Sequence, residues 1–248
     1  MYKTTDGGGN WTATGLIPLP SALVIDLQHP NTLYAGTEDG VLTSTDGGEN
    51  WTATALADIH ISFLAIDSQN PSTLYAGTYH DGVFRTIDGG GKWTAVALAH
   101  TDISVLAIDP QNPDTLYEGT YQYGVFRTID GGGNWTAANT GLTNTYVATL
   151  AIDPQHPNTL YAGTFGGGMF KTTDGGGSWT ATGLTSTVSV LAIDPQNPDT
   201  LYTGYKYYGT GSLFKTTDGG GNWTAVNTGS TGTGIWALAI DPQHPNTV

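Results

Sequence analysis

The sequence predicts an all-β protein, a six-bladed β-propeller with four antiparallel strands in each blade. Three observations predict it. The motif TxDGGxxW, with serine in place of threonine in one copy, occurs six times, and successive tryptophans are 40 to 44 residues apart. A second motif, Leu-Ala-Ile-Asp-Pro-Gln and close variants, repeats with the same period. Each period holds four strand-like segments, which is typical of a propeller blade.

The TxDGGxxW motif predicts a tight turn between two strands. A short aspartate side chain accepts backbone N–H groups of its own turn, and glycine supplies positive φ angles. An apolar–polar alternation precedes the turn and Trp-Thr-Ala follows it, which indicates a hairpin. We interpret the aspartates and tryptophans of this motif as structural, because one active site does not need six copies. They are Asp6 and Trp11, Asp46 and Trp51, Asp88 and Trp93, Asp130 and Trp135, Asp174 and Trp179, and Asp218 and Trp223.

The second motif predicts the other two strands of each blade. Its apolar start, as in Val105–Ile108, suits a strand that is covered on both faces. The segment Asp109–Pro113 predicts a turn pre-set by proline. Residues 115–120, which contain Leu-Tyr-x-Gly-Thr, then predict the second strand.

We expect one domain over residues 1–248, with the ring closed through its ends. Residues 1–13 would supply two outer strands and residues 234–248 an inner strand, and together they would form a seam blade, which removes free sheet edges. This blade is incomplete. Only 13 residues separate Asp241 from Asp6 across the joined ends, against 20 to 24 between corresponding aspartates elsewhere. The missing part corresponds to a Leu-Tyr strand, so we expect a monomer, or an oligomer formed through the seam blade.

The TxDGGxxW motif resembles the Asp-box, or BNR, repeat across essentially the whole chain. That repeat occurs in sialidases, sortilin-type receptors, xyloglucan-active glycosidases and photosystem II assembly factors. The resemblance implies a β-propeller but selects no single activity, because these families do unrelated things on one scaffold. Sialidases of this type use three arginines and a tyrosine paired with a glutamate. This chain has two arginines, Arg85 and Arg127, which argues against sialidase chemistry.

Both arginines belong to a periodic set of cations that precede the motif's first residue: Lys3, Arg85, Arg127, Lys171 and Lys215. We interpret each cation as the partner of an acid on the same face or in a neighbouring blade.

Composition excludes several classes of partner and site. The net charge of −14 argues against nucleic acid, whose binding needs clustered Lys and Arg. The absence of cysteine excludes disulfides, and no apolar run is long enough for a membrane span.

The glycine runs lack the Lys-Ser/Thr of a phosphate loop, so no cofactor is expected. No metal site is assigned; the weaker alternative would use His60, His80 and His100. Without a visible signal peptide, we expect an extracellular or periplasmic protein if a leader was removed, and a cytoplasmic one otherwise.

Connections that differ between repeats are free to carry function. They follow the Leu-Tyr and the Trp strands, and they are rich in aromatic residues. The candidate ligand-binding residues are Tyr79, His80, Tyr121, Tyr123, Phe165, Tyr205, Tyr207, Tyr208 and Trp236. Rigid aromatic rings with polar edges suit the binding of sugars, peptides or flat organic ligands. The alternative is that these rings only cover loop backbone.

We therefore expect a non-enzymatic scaffold, without catalytic residues, whose variable Tyr-rich face binds a glycan, a peptide or a protein. One alternative is a carbohydrate-binding, lectin-like or glycoside hydrolase-like protein. A glycosidase needs two carboxylates roughly 5–9.5 Å apart, and the candidates are Glu38, Asp39, Asp58, Asp81 and Asp102. Another alternative is a recently amplified repeat scaffold with no evolved site.

Overall fold

The computed structural model describes residues 1–16, 19–96, 103–205, 213–226 and 234–241. The chain divides into two compact units, Met1–Leu106 and Ala107–Val248. All regular secondary structure of the described residues is β-strand. No helix in this part of the chain could span a membrane.

Five sheets have four antiparallel strands each, and in each sheet neighbouring strands are consecutive in the chain. The first contains β3 (Ala22–Ile25), β4 (Leu33–Thr37), β5 (Gly40–Ser44) and β6 (Thr52–Ala57). The second contains β7 (Ile61–Ile66), β8 (Leu74–Thr78), β9 (Val83–Thr86) and β10 (Thr94–Ala95). The third contains β11 (Ile103–Ile108), β12 (Leu116–Thr120), β13 (Val125–Thr128) and β14 (Thr136–Ala137). The fourth contains β15 (Val147–Ile152), β16 (Leu160–Thr164), β17 (Gly168–Thr172) and β18 (Thr180–Ala181). The fifth contains β19 (Val190–Ile193), β20 (Leu201–Gly204), β21 (Leu213–Thr216) and β22 (Thr224–Val226).

A sixth sheet has only two strands among the described residues, β1 (Tyr2–Lys3) and β2 (Thr12–Ala13). The prediction of an all-β protein with repeated four-stranded antiparallel sheets is confirmed, and six such units are consistent with six blades. The described residues 234–241 form no strand, and residues 242–248 lie outside the described part. Pairing of the two ends in a seam blade therefore stays a prediction.

The Leu-Tyr strand, rather than the Leu-Ala-Ile strand, is the most buried strand of each sheet. All five residues of β8 are buried, whereas five of the six residues of β7 are only half-buried. The reason is position, because β8 is hydrogen-bonded on both edges and β7 on one edge. The apolar run of the Leu-Ala-Ile strand was thus a correct sign of a strand but not of full burial.

The tryptophans contribute less to the core than the sequence suggests. Trp179 is 3% exposed, but Trp11 is 59% exposed and the other four motif tryptophans are half-buried. In three copies the indole N–H donates to a glycine carbonyl of its own turn, as from Trp51 to Gly48 at 3.1 Å. The Trp179 indole instead donates to the Ala138 carbonyl at 2.8 Å. Three of the six rings therefore pack against their own turn.

The periodic cations lie over tyrosine rings of the adjacent Leu-Tyr strand. The distances from the cationic centre to the ring centroid are 5.6 Å for Arg85–Tyr75 and Arg127–Tyr117, 5.2 Å for Lys171–Tyr161 and 5.0 Å for Lys215–Tyr202. Lys3 matches the acid-partner interpretation, since its Nζ lies 3.5 Å from Glu49 Oε1 in an exposed ion pair. The main role of these cations is therefore a cation–π contact within the sheet.

Glutamine side chains connect successive turns within each unit. The Gln28 amide donates to the carbonyls of Ser68 and Gln69 at 3.1 and 3.2 Å. Gln111 makes the same pair of contacts to Pro154 and Gln155, and Gln155 makes it to Pro195 and Gln196. These bonds join consecutive sheets at the edge where the Asp-Pro-Gln turns lie.

One buried carboxylate breaks the repeat. Glu118 on β12 has no solvent exposure, and neither of its carboxylate oxygens has a hydrogen-bond partner. The corresponding residues Ala35, Ala76 and Ala162 are equally buried but apolar. Burial disfavours the charged form and raises the pKa of Glu118 to about 7 from an ordinary 4.5.

We expect Glu118→Ala to stabilise the protein at neutral pH and to change how its stability depends on pH. The folded state holds the Glu118 proton more tightly than the unfolded state. The free energy of unfolding should therefore fall as the pH rises from about 4.5 to about 7, by about 3 kcal/mol in total. Urea unfolding at pH 5 and pH 8 measures this loss. Glu118→Gln, which keeps the side-chain volume, should also lack it; an unchanged pH slope in both variants would contradict the assignment.

The most buried and the most exposed of the motif tryptophans should differ in how much stability is lost when each is replaced by alanine. Trp179→Ala should lower the free energy of unfolding by about 3–5 kcal/mol, because it leaves a cavity and an unpaired Ala138 carbonyl. Trp11→Ala removes a mostly exposed ring, so its effect should stay within about 0.5 kcal/mol. Thermal and urea unfolding of both variants measure the difference, and equal losses would show that exposure does not decide their contributions.

Candidate functional site

The carboxylates of the six motif aspartates accept hydrogen bonds within their own turns. In one copy, Asp130 accepts hydrogen bonds from the Thr128 hydroxyl at 2.7 Å, the Asn134 backbone N–H at 2.9 Å and the Asn134 side-chain amide at 2.7 Å. These bonds from Asn134 and Thr128 lower the pKa of Asp130 to about 2. The turns of Asp6, Asp174 and Asp218 have equivalent bonds and a pKa of about 2. Such permanently ionised carboxylates cannot act as general acids near neutral pH, which agrees with their interpretation as structural residues.

In the first unit, three aromatic side chains of the variable connections meet. We call His60, Tyr79 and His80 the aromatic patch. The rings of His60 and Tyr79 are stacked at a centroid distance of 5.8 Å, and His80 meets Tyr79 edge-on at 4.5 Å. The Tyr79 N–H donates to the His60 carbonyl at 3.2 Å, which holds the two connections together. Tyr79 is 55% exposed, so its ring remains accessible to a ligand.

Acidic residues lie on the connections beside this patch. Asp58, two residues before His60, has a φ of 59°, which is uncommon for any residue except glycine. Its N–H donates to the Asp39 carbonyl at 2.9 Å. The structure thus brings the connections of Asp39 and Asp58 together, and Glu38 lies on the same connection as Asp39. Asp81 follows His80 on the connection between β8 and β9. Asp102 lies outside the described residues.

In the second unit, Phe165 and Tyr205 meet beside a cavity. Their rings are 6.1 Å apart in an edge-on arrangement, and Phe165 is 42% exposed. The cavity has a volume of about 320 Å³, and we call it the unit-2 cavity. Its lining consists of Leu184, Ser186, Thr187, Val188, Thr203, Gly204, Tyr205 and Phe214. No lining residue is acidic or basic, so the cavity is neutral.

Hydrogen bonds between neighbouring connections fix the wall beside this cavity. The Phe165 N–H donates to the Tyr146 carbonyl at 2.9 Å, and the Asn144 amide donates to the Phe165 carbonyl at 3.3 Å. On the other side, the Gly166 N–H donates to the Thr187 hydroxyl at 3.1 Å. Three connections of the second unit therefore form one continuous surface that carries Phe165.

The remaining sequence candidates are exposed but are not part of these two groups. Tyr121, Tyr123 and Trp236 are 40%, 53% and 65% exposed. Asn139 holds the Tyr123 connection by donating to the Tyr123 carbonyl at 2.9 Å. Tyr207 and Tyr208 lie outside the described residues, as does His100 of the alternative metal site. Among the described residues, no group of three or more His, Cys, Asp or Glu could hold a metal ion.

Sequence reasoning missed the polar and aliphatic lining of the unit-2 cavity. Ser186, Thr187 and Val188 lie on a connection after a Trp strand, where the repeats differ, and that difference was the available signal. Small side chains do not stand out in a search for aromatic or titratable residues. Their importance comes from packing beside Tyr205, which only the structure shows.

Comparisons with known proteins identify the fold as a β-propeller. A family model described as the DUF6242 beta propeller domain matches residues 1–110. No curated protein matches the sequence. Among solved structures, the chain is similar to the GH74 enzyme of Niastella koreensis, at 22% identity and a TM-score of 0.69, over 83% of this chain and 38% of that one.

Two further structures show the same likeness. The GH74 xyloglucanase from Xanthomonas campestris is similar at 20% identity and a TM-score of 0.74, over 92% of this chain and 43% of that one. YCF48 bound to D1 peptide is similar at 19% identity and a TM-score of 0.69, over 90% of this chain and 73% of that one. This chain therefore spans less than half the length of the two GH74 enzymes. At these identities the likeness shows the fold alone.

The aromatic patch allows a matched test of a buried tyrosine in β8 and an exposed tyrosine on the connection that follows it. Tyr79→Ala removes a ring that is 55% exposed and should change the free energy of unfolding by no more than about 0.5 kcal/mol. Tyr75→Ala removes a fully buried ring from β8 and should cost about 3–5 kcal/mol. Urea unfolding of both variants measures this contrast. A large loss for Tyr79→Ala would mean that the patch is part of the scaffold and is not free for a ligand.

Proposed function

We propose that the chain is a non-enzymatic propeller of the Asp-box (BNR) type whose variable connections bind a peptide or protein partner. The unit-2 cavity would take an apolar side chain of the partner. The observation that carries this proposal is the position of the cavity. It lies beside exposed aromatic rings, on connections that the repeats leave free to vary.

The chemistry of the cavity favours an uncharged anchor. Leu184 and Val188 are buried at its base, and Ser186 and Tyr205 lie nearer to solvent. The Thr203 hydroxyl already donates to the Val190 carbonyl at 2.8 Å, so it does not need a ligand acceptor. A charged anchor would lose its hydration without gaining an ionic partner. The volume of about 320 Å³ is near the lower end of ligand pockets, which suits one large side chain.

The similar structures support a peptide as the partner. YCF48, the similar protein of which this chain covers 73%, was solved bound to D1 peptide. A propeller of comparable length can therefore serve as a peptide-binding scaffold. Because the identity is 19%, this support concerns what the fold permits and not which peptide is bound.

The properties of the carboxylates support a non-enzymatic role. Burial raises the pKa of Glu118 to about 7, a value that would suit a general acid. Glu118 has no solvent exposure, so its carboxyl group cannot reach a substrate. The described lining of the unit-2 cavity contains neither a carboxylate nor an imidazole.

A second candidate function is carbohydrate recognition or hydrolysis. It is supported by the likeness to GH74 enzymes and by the accessible Tyr79 ring beside the connections of Asp39 and Asp58. Exposed tyrosine rings can stack on sugar faces. The third candidate, a recently amplified scaffold with no evolved site, rests on the near-identity of the repeats.

We expect Ser186→Trp to abolish partner binding by filling the unit-2 cavity. Peptides that are selected from a displayed library for binding to the unmodified chain should share an aliphatic or aromatic anchor residue. Their affinity for Ser186→Trp should fall at least about tenfold, or about 1.4 kcal/mol. The matched control is Ser68→Trp, the same exposed change on a repeated turn, which should bind the selected peptides normally. Fluorescence anisotropy measures both affinities.

Other outcomes of this experiment would contradict the proposal. Selection of no peptide, or equal binding by both tryptophan variants, would remove the cavity as the site. A glycan array and chromogenic glycosides test the second candidate with the same protein. Binding of a glycan that Tyr79→Ala abolishes, or hydrolysis of a glycoside, would favour carbohydrate chemistry over peptide binding.

A further inference from the structure

Aromatic side chains of the second unit form a row that ends at the unit-2 cavity. We call Tyr123, Tyr146, Phe165 and Tyr205 the aromatic track. The first three are 53%, 49% and 42% exposed, and each lies on a different connection between strands. Tyr205 follows β20 and lines the cavity.

Hydrogen bonds join the successive connections of the track. The Gly124 N–H donates to the Thr145 carbonyl at 3.0 Å, which joins the connections of the first two track residues. The Phe165 N–H donates to the Tyr146 carbonyl at 2.9 Å, and the Phe165 ring meets the Tyr205 ring at 6.1 Å. The track is therefore continuous with the cavity to which the proposed function assigns the anchor of a peptide.

The main chain of the track is already hydrogen-bonded. The Tyr123 carbonyl accepts from the Asn139 amide at 2.9 Å, and the Phe165 carbonyl accepts from the Asn144 amide at 3.3 Å. The oxygens of both asparagine side chains accept backbone N–H groups, at 2.7 and 2.9 Å. A ligand therefore meets main-chain and amide acceptors that are already in use.

Two phenol groups of the track are available as donors. The Tyr123 and Tyr146 hydroxyls make no hydrogen bond to any residue in the part of the chain that the structure describes. Both side chains are half-exposed, so each hydroxyl can reach an acceptor on a ligand. The track thus offers aromatic faces together with hydroxyl donors.

Four connections around the track have no charged or titratable side chain other than tyrosine. They are residues 121–124, 138–146, 165–167 and 182–189. The connections of the first unit differ, because they carry Glu38, Asp39, Asp58 and Asp81. In a chain with a net charge of −14, a surface without charges suits an uncharged ligand.

These properties together favour a proline-rich segment. Proline has no N–H, so a run of prolines brings carbonyl acceptors without donors, which matches a surface of hydroxyl donors. The polyproline II conformation has no internal hydrogen bonds and leaves those carbonyls open. Its proline rings pack in grooves lined by aromatic side chains. A sugar, by contrast, brings hydroxyl donors to a surface whose main-chain acceptors are already in use.

We propose that the aromatic track binds a proline-rich peptide segment in the polyproline II conformation, and that an apolar residue of the same peptide enters the unit-2 cavity. This inference rests on the proposed peptide-binding function and names the kind of peptide. The Tyr123 and Tyr146 hydroxyls donate to its carbonyls, and the Phe165 ring packs against a proline ring. The preformed segment loses little conformational freedom when it binds, so few contacts are sufficient.

Isothermal titration calorimetry with capped octaproline tests the track without the cavity. We expect saturable binding of this peptide and no binding of its mirror image, D-octaproline, which has the same composition and hydrophobicity. Because the peptide and the four connections are uncharged, the affinity should change by less than about twofold between low and high salt. A second peptide, with leucine in place of one central proline, should bind at least about tenfold more tightly because the leucine fills the cavity.

Variants of the protein locate the binding surface. Tyr146→Ala should weaken octaproline binding at least about tenfold. Tyr146→Phe, which removes only the hydroxyl, should weaken it by roughly two- to tenfold. The matched control Tyr79→Ala, at an exposed tyrosine of the first unit, should bind octaproline normally. Ser186→Trp should also bind octaproline normally but lose the gain from leucine, and circular dichroism checks that each variant is folded.

Failure of the track and failure of the cavity give different results. If octaproline binds but leucine adds no affinity, the track stands and the cavity is not the anchor site. If the leucine peptide binds and octaproline does not, the track proposal is wrong. Equal binding of the two mirror-image peptides, or unchanged affinity in both Tyr146 variants, would also overturn it. So would a protein that ignores octaproline but binds a neutral glycan, with cellohexaose as the probe, through Tyr146.

Discussion

The aspartate-closed turn is the constraint on which the rest of the structure depends. Its carboxylate holds the glycine pair in place, and the second glycine of each pair has a positive φ that a side chain would strain, as at Gly132 with 99°. The turn then offers the carbonyl of its first glycine to the preceding sheet. Tyr117 and Tyr161 each donate a hydroxyl to such a carbonyl. A locally determined hairpin therefore also determines how one sheet joins the next.

Local chemistry was predictable from the sequence because it repeats within short segments. The spacing of Asp130 from Trp135 specifies a turn, and its neighbouring threonine and asparagine supply the hydrogen bonds. Burial was less predictable, because it depends on which strands lie on both sides. The same motif thus places Trp179 in the core and leaves Trp11 exposed at 59%. The bond from Gln28 to the next turn was missed for a similar reason, since its acceptors are backbone carbonyls that carry no sequence signal.

The candidate site was predictable only as a region. Variation among the connections pointed to a region of the surface, in which Tyr79 and Phe165 are exposed. The sequence could not indicate that Phe165 meets Tyr205, or that Ser186 and Val188 enclose a cavity beside them. Those relations join residues about 20 to 40 positions apart, and they depend on how neighbouring connections pack.

The distinction between periodic scaffold and irregular surface has an instructive exception. Glu118 is irregular but lies in the most buried strand of its sheet, where its carboxylate oxygens have no hydrogen-bond partner and no substrate could reach them. A residue's role in a repeat protein therefore depends on two things: whether the residue itself repeats, and whether it reaches solvent.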